Sequence, residues 1–137
     1  MTNAKPTSEM KVLHLTLKKK WFDMILSGEK KEEYREIKPY WFRRLVYCGK
    51  DDLINEWCKD IQDKKLAARW NYDNYYYGKS FNKILFRNGY SKNAPSFEIE
   101  CKGIEIGHGL IHWGAEKSKE YFVIKLGSIT AIIRQQK

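Results

Sequence analysis

Residues 12–37 read VLHLTLKKKWFDMILSGEKKEEYREI, and this stretch decides the fold. Leucines alternate with other residues over residues 12–17, which predicts a strand with one buried face. Over residues 18–27 the apolar residues fall at helical spacing, and Gly28 stands where a helix commonly ends. A strand, a helix and a highly charged third segment therefore follow one another without long connections.

The charged segment, residues 30–37, is better explained as a strand than as a continuation of the helix. In a helix, residues four apart would pair like charges, and each such pair costs a few tenths of a kcal/mol. The pairs are Glu29/Glu33, Lys31/Arg35 and Glu32/Glu36. In a strand, Lys31, Glu33 and Arg35 share one face. A small closed sheet turns one such face inward, where charges persist only when they are paired or functional.

The middle of the chain predicts two further helices and an irregular insertion. Pro39 suits the first turn of the second helix, and Asp51 or Asp52 caps a third with an apolar stripe that reaches Ile61. Residues 69–81 then read RWNYDNYYYGKSF, a mixture of rings and turn-forming residues. This composition indicates a long loop insertion.

From residue 82 onward the pattern is that of strands. Alternation predicts them over residues 83–87, 97–106, 121–126 and 129–133, with a bulge at Gly103 and a break at Gly127 and Ser128. With the two strands nearer the N-terminus, this gives about six strands and about three helices. We expect one α+β domain over residues 11–137, built on a small curved or closed sheet, after a flexible tail over residues 1–10.

The composition narrows the class of partner. The chain of 137 residues carries a net charge of +9, and aromatic residues make up 15% of it. So many rings exclude disorder over the whole chain. The first fifty residues hold 12 basic and 6 acidic groups. This excess suits a nucleic acid or a nucleotide, but it equally fits a solvated basic face.

Several features bear on where the protein works. No apolar run is as long as a membrane span, and the first ten residues lack the apolar core of a signal peptide. Three widely spaced cysteines are typical of reduced thiols rather than of a disulfide framework. We therefore expect a cytoplasmic protein that makes no membrane contact.

Four residues of the opening stretch form a motif. Gly28, Lys30, Glu33 and Arg35 spell G-x-K-x-x-E-x-R directly after the predicted helix, and the segments RNGY, FEIECKGIEIG, IHWGAE and YFVIKLG follow in order. On these features, residues 11–130 resemble the ASCH domain (activating-signal-cointegrator homology) of small bacterial and phage-type proteins. The resemblance implies a PUA-like β-barrel with flanking helices, a cleft lined by the motif charges, and a role in RNA metabolism.

The resemblance also implies two enzymatic alternatives, a ribonuclease and an amidohydrolase that deacetylates acetylated cytidine with a Lys, a Thr and a Glu. Lys30 matches the lysine of that second branch, but Glu33 stands where the branch has its threonine nucleophile. A carboxylate attacks an amide less well than an activated hydroxyl, so the Lys–Thr mechanism does not transfer. By position, Glu116 is the nearest counterpart of the later glutamate. If the protein is a hydrolase, we expect these three residues to be catalytic.

As a binding site, the motif predicts contacts with RNA or a modified nucleotide. Arg35 would clamp a phosphate or a base edge through its planar guanidinium, and Lys30 would supply a point charge. Glu33 would hold Arg35 or accept a hydrogen bond from an exocyclic amine. Further nucleic-acid contacts are expected where rings and cations interleave or flank the Asn-Gly turn, at Trp70, Tyr75, Arg87 and Tyr90.

Two other interpretations stay open on the sequence alone. The motif charges could form only a structural ion-pair network, or the basic cleft could bind an acidic peptide of a protein partner. His108 and His112 lie four apart without cysteines or carboxylates in a ligand pattern, so we expect no metal. The chain has neither a phosphate loop nor a dinucleotide fingerprint, so we expect no cofactor.

Overall fold

The computed structural model of the protein describes residues 11–46, 56, 58, 59 and 81–134. Its elements are β1 (Val12–Thr16), α1 (Lys19–Leu26), β2 (Glu32–Glu36), α2 (Pro39–Leu45), β3 (Lys83–Arg87), β4 (Ser96–His108) and β5 (Glu120–Arg134). A short 3₁₀ turn, Ile111–Trp113, lies between β4 and β5. The predicted α+β class is confirmed, and the predicted charged strand is present as β2.

The strands form one mixed sheet of five strands in the order β1-β3-β4-β5-β2. β1 runs parallel to β3, and the other neighbours are antiparallel. Strand pairing does not close this sheet into a barrel within the part of the chain that the structure describes. The prediction of separate strands over residues 121–126 and 129–133 is wrong. β4 pairs with both parts, and β5 runs on through Gly127 with only a register shift, where Gly127 and Ser128 lie opposite the single residue Glu100.

Arginine side chains, rather than strand pairing, link the two ends of the sheet. The guanidinium Nη2 of Arg35 in β2 donates to the carbonyl of Thr16 in β1, at 3.2 Å. The Nη2 of Arg44 in α2 donates to the carbonyl of His14, at 2.8 Å. Each arginine satisfies a backbone carbonyl on an edge strand. The β2–α2 segment therefore lies against β1, and the sheet is strongly curved.

The core lies between the inner face of the sheet and the two helices. Phe22 of α1 packs edge-on against Phe97 of β4, with ring centroids 4.9 Å apart, and Phe42 of α2 lies 6.3 Å from Phe122 of β5. Paired residues of neighbouring strands share a face. Because Glu33 pairs with Ile124 and Arg35 pairs with Phe122, both motif side chains lie on the core-facing side.

A glycine turn places the motif lysine at the start of β2. Gly28 follows the end of α1 with φ +89°, a left-handed conformation that glycine adopts without steric cost. A backbone hydrogen bond closes the turn: the Lys30 N–H donates to the carbonyl of Met24 at 2.9 Å. The sequence signal at Gly28 therefore marks both the end of the helix and the entry to the motif strand.

Some predictions fall outside the described residues. These are the tail over residues 1–10, most of the third helix, and residues 69–80 of the predicted insertion. Glu56, Cys58 and Lys59 are helical, and Cys58 is buried in the core, as an apolar helical stripe requires. Among the described helices, none has the length and apolar character needed to cross a membrane.

Candidate functional site

The Lys30 ammonium is enclosed on every side. Its side chain has 0% exposure, and its Nζ lies 3.0 Å from Glu33 Oε1. The same Nζ donates to the carbonyl of Glu32 at 2.5 Å. The rings of Trp21 and Tyr34 lie 5.2 and 4.8 Å from it, within cation–π range. A carboxylate, a carbonyl and two aromatic faces therefore replace the water that a lysine normally keeps.

Glu33 joins the two motif cations. One of its carboxylate oxygens contacts Lys30, and the other lies 2.8 Å from Arg35 Nη2. The Glu33 side chain is only 9% exposed, and the Arg35 side chain only 17%. The cluster of Lys30, Glu33 and Arg35 thus holds two positive charges and one negative charge on the core-facing side of an edge strand.

Burial sets the protonation of this cluster. Loss of solvation holds the pKa of Lys30 below its usual value of 10.5, and the Glu33 carboxylate beside it acts in the opposite direction. A lysine with a lowered pKa loses its proton more readily than an ordinary surface lysine. No solvent reaches it in this conformation, however. In this structure the enclosed Lys30 ammonium holds the Glu33 carboxylate in place through their ion pair.

Arg35 connects the cluster to a surface of rings and arginines. Its guanidinium carbon lies 4.8 Å from the ring centroid of Trp41 in α2, and the guanidinium carbon of Arg44 lies 5.6 Å from the same ring. Arg44 also donates to the Tyr40 hydroxyl at 3.2 Å. Tyr40 is 58% exposed and stands edge-on to Trp41, with centroids 4.8 Å apart. We call Arg35, Tyr40, Trp41 and Arg44 the arginine–aromatic surface.

Arg35 also has a buried donor that lacks an acceptor in the described ranges, beside this surface. Its Nε is buried and finds no hydrogen-bond acceptor among the residues that the structure describes. Its Nη2, by contrast, is fixed by Glu33 and by the Thr16 carbonyl. A buried N–H without an acceptor costs free energy, which an acceptor on a ligand would recover.

Local sequence explains why the surface forms. Alternation in β2 places Glu33 and Arg35 on the same face, so the carboxylate reaches the arginine two residues on. Pro39 starts α2 three residues after β2 ends. Tyr40 and Arg44 are then four apart on the helix, which is the spacing of neighbouring side chains. The Trp41 ring packs against the core on one side, and the guanidinium groups of Arg35 and Arg44 lie over it.

The outer face of β2 carries a separate polar chain. The Tyr34 hydroxyl donates to Glu32 Oε1 at 2.8 Å, and Lys125 donates to Glu32 Oε2 at 2.5 Å. Burial raises the pKa of the Tyr34 phenol well above its usual value. The hydrogen bond to Glu32 raises the pKa of Lys125. Tyr34 is thus a protonated donor that fixes the Glu32 carboxylate on the side opposite Glu33.

The structure does not bring Glu116 to the motif cluster. Its side chain is 74% exposed, and its carboxylate lies 3.5 Å from the Lys119 ammonium. Lys119 in turn lies 2.7 Å from Glu36, which occupies the face of β2 opposite Glu33. A catalytic set of Lys30, Glu33 and Glu116 would therefore need a rearrangement. The catalytic role of Glu116 stays a prediction.

The remaining predicted nucleic-acid contacts divide into two groups. Arg87 pairs in register with Thr16, the residue whose carbonyl anchors Arg35, and its Nη2 donates to the Ser91 carbonyl at 2.7 Å. Tyr90, at the tip of the β3–β4 hairpin, is 91% exposed. Both are available at the surface, and their contact with RNA stays a prediction. Trp70 and Tyr75 lie outside the described residues.

Neither a metal centre nor a known relative adds to this description. In the described ranges, His, Cys, Asp and Glu side chains form no group of three that could hold a metal ion. No family model, no curated protein and no solved structure matches the chain. The functional argument therefore depends on the motif cluster, the arginine–aromatic surface and the resemblance carried by the motif residues.

Proposed function

We propose that the protein is an ASCH-type, PUA-like domain that binds RNA or a modified nucleotide at the arginine–aromatic surface. In this proposal Lys30 and Glu33 position Arg35, and Arg35 contacts the ligand. The single observation that supports the proposal most strongly is the set of contacts made by the Arg35 guanidinium. It is fixed by Glu33 and Thr16, it lies on the Trp41 ring, and its Nε has no acceptor among the described residues.

The chemistry of this surface suits a nucleotide. A fixed guanidinium fork recognises phosphate oxygens or base edges with defined geometry. Tyr40 exposes a ring on which a base can stack, and a stacked base contributes about 1–3 kcal/mol. The net charge of +9 attracts a polyanion over longer range. Phosphate, base and backbone charge are thus each matched by a feature of the protein.

A PUA-like barrel is part of the same proposal. The Arg35–Thr16 and Arg44–His14 bonds bring the β2–α2 segment to the β1 edge, as a nearly closed sheet requires. A sixth strand would complete the barrel. This geometry supports the barrel that the motif resemblance implies.

The proposal is tested with fluorescence anisotropy of a short, unstructured, fluorescein-labelled RNA. We expect wild-type protein to raise the anisotropy to a stable value, with an affinity that falls as salt rises. Tyr40→Ala removes the exposed ring, so we expect about 10-fold weaker binding, within the range for one stacked base. Arg44→Gln should weaken binding and reduce the salt slope by about 1.

Lys102→Gln is the matched control for charge. Lys102 is exposed on β4, at the part of the sheet where β5 meets the start of β2, whereas Tyr40 follows the opposite end of β2. If Lys102→Gln weakens binding as much as Arg44→Gln does, attraction is only general charge and the proposed surface is wrong. A signal that rises and then decays would instead place the hydrolase alternative first. The alternative of a protein partner predicts that an acidic peptide, and not RNA, is bound.

A further inference from the structure

The loop between β4 and β5 contacts both rings that enclose Lys30. We call residues 109–116 the strap. A Cβ on Gly109 would lie 2.6 Å from Tyr34 Cζ, and a Cβ on Gly114 would lie 3.0 Å from Trp21 Cζ2. Gly114 also has φ +109°, which glycine tolerates best. Only glycine allows the strap backbone to approach these two rings so closely.

The same two rings exclude solvent from the Lys30 ammonium. Trp21 and Tyr34 lie 5.2 and 4.8 Å from Lys30 Nζ, and the lysine side chain has 0% exposure. The strap therefore presses on the two side chains that separate Lys30 from water. If the strap lifts, the rings lose the contact that supports them.

Few interactions fix the strap to the rest of the protein. The Leu110 N–H donates to the Tyr34 hydroxyl at 3.0 Å, and the Glu116 N–H donates to the Tyr121 hydroxyl at 2.9 Å. Its other backbone bonds at Trp113 and Gly114 are internal to the strap.

The strap also leaves apolar groups exposed and one polar atom without a partner. Leu110 and Ile111 are 45% and 65% exposed. The buried Nε1 of Trp113 finds no acceptor in the described part of the chain. Ala115, which packs with Tyr121 and Val123, is the one buried residue of the strap, so its buried apolar contacts are few, and such segments open at low free energy.

We propose that the strap is a gate, and that its opening admits a phosphate group to Lys30. The strap moves about Gly109, the first residue after β4, and this motion breaks the two hydrogen bonds to the tyrosine hydroxyls. Lys30 then faces solvent and adds its charge to that of Arg35 across Glu33. The identity of the ligand rests on the proposed function, whereas the opening of the strap does not.

Lysine acetylation read by mass spectrometry tests the gate in the free protein. The probe is an acetyl N-hydroxysuccinimide ester, with the neighbouring exposed Lys31 as the internal standard for reagent. Cys58, buried in the core, reports global unfolding through its alkylation rate. We expect Lys30 to be acetylated more slowly than Lys31 but faster than global unfolding allows.

Two variants remove the anchors separately. Tyr34→Phe removes the hydroxyl that accepts from Leu110, and Tyr121→Phe removes the hydroxyl that accepts from Glu116. We expect each variant to accelerate Lys30 acetylation roughly three- to tenfold, as the loss of one hydrogen bond allows, relative to Cys58 alkylation. Tyr121→Phe is the cleaner variant, because Tyr121 does not enclose Lys30.

The outcomes separate the gate from the proposed function. If Lys30 and Cys58 react in parallel in the wild type and in both variants, only global unfolding exposes Lys30 and the gate is refuted, even if RNA binds. If Lys30 reacts ahead of Cys58 and each variant accelerates it, the gate is supported. A failure of labelled RNA to bind would then overturn only the proposed function.

Discussion

Replacing Glu33 with glutamine tests whether the motif cluster depends on its one negative charge. The carboxylate is 9% exposed and lies 3.0 Å from the Lys30 ammonium and 2.8 Å from the Arg35 guanidinium. A glutamine amide offers one oxygen to these two cations and turns an NH₂ donor toward the other. Glu33→Gln therefore removes the carboxylate that contacts both cations.

The expected magnitude follows from the burial of the three side chains. Removing one partner of a buried ion pair costs about 3–5 kcal/mol. Arg35 is 17% exposed, and water can partly replace the lost carboxylate there, whereas Lys30 is fully enclosed. We therefore expect Glu33→Gln to lower the free energy of unfolding by about 3 kcal/mol, at the lower end of that range.

Equilibrium urea unfolding, followed by circular dichroism, measures this loss. Glu105→Gln is the matched control, because Glu105 is 50% exposed and lies 3.8 Å from Lys125. Exposed pairs of this kind contribute at most about 1 kcal/mol. If Glu33→Gln costs no more than Glu105→Gln, the cluster is solvated in solution and cannot fix Arg35, so the reasoning fails.

Three further predictions concern stability. Burial holds the pKa of Lys30 below 10.5, so the native state releases this proton at a lower pH than the unfolded chain does. The free energy of unfolding of wild type minus that of Lys30→Met should therefore rise with pH between the lowered native pKa and 10.5. Urea unfolding at a series of pH values measures this difference. Gly109→Ala should cost about 1–3 kcal/mol through overlap with the neighbouring tyrosine ring, whereas Gly107→Ala, with open space around its Cβ, should stay within about 0.5 kcal/mol, as thermal melts will show. Phe97→Ala should cost about 3–5 kcal/mol in the same melts, since its ring is fully buried, and a cost no greater than that of the exposed Tyr90→Ala would contradict the core assignment.

Local signals were sufficient to predict most of the described fold. Alternation identified β1 and β3, Gly28 marked the end of α1, and like-charge pairs excluded a helix over the motif. The signal at Gly127 and Ser128 marks a register shift rather than the predicted break, because β4 pairs with β5 on both sides of it, and a partner strand this long cannot be deduced from the local sequence. Strand order was not predictable, since the pairing of β1 with β3 depends on contacts distant along the chain.

The convergence of the motif charges could be predicted from the sequence, and their burial could not. The motif spacing correctly indicated that Lys30, Glu33 and Arg35 come together, because β2 alternation and the Gly28 turn are local. The full enclosure of Lys30 was missed, since it depends on Trp21 from α1 and on a loop about eighty residues away. The four-residue spacing of Tyr40 and Arg44 was the available signal for the arginine–aromatic surface.

Photo-crosslinking of a 4-thiouridine-labelled RNA, mapped by peptide mass spectrometry, tests the central claim most directly. The arginine–aromatic surface places Tyr40 and Trp41 against the ligand, so the account predicts crosslinks within residues 39–45. The yield of these crosslinks should fall in the Arg44→Gln variant. RNA that crosslinks efficiently elsewhere on the protein, with none in residues 39–45, would contradict the account.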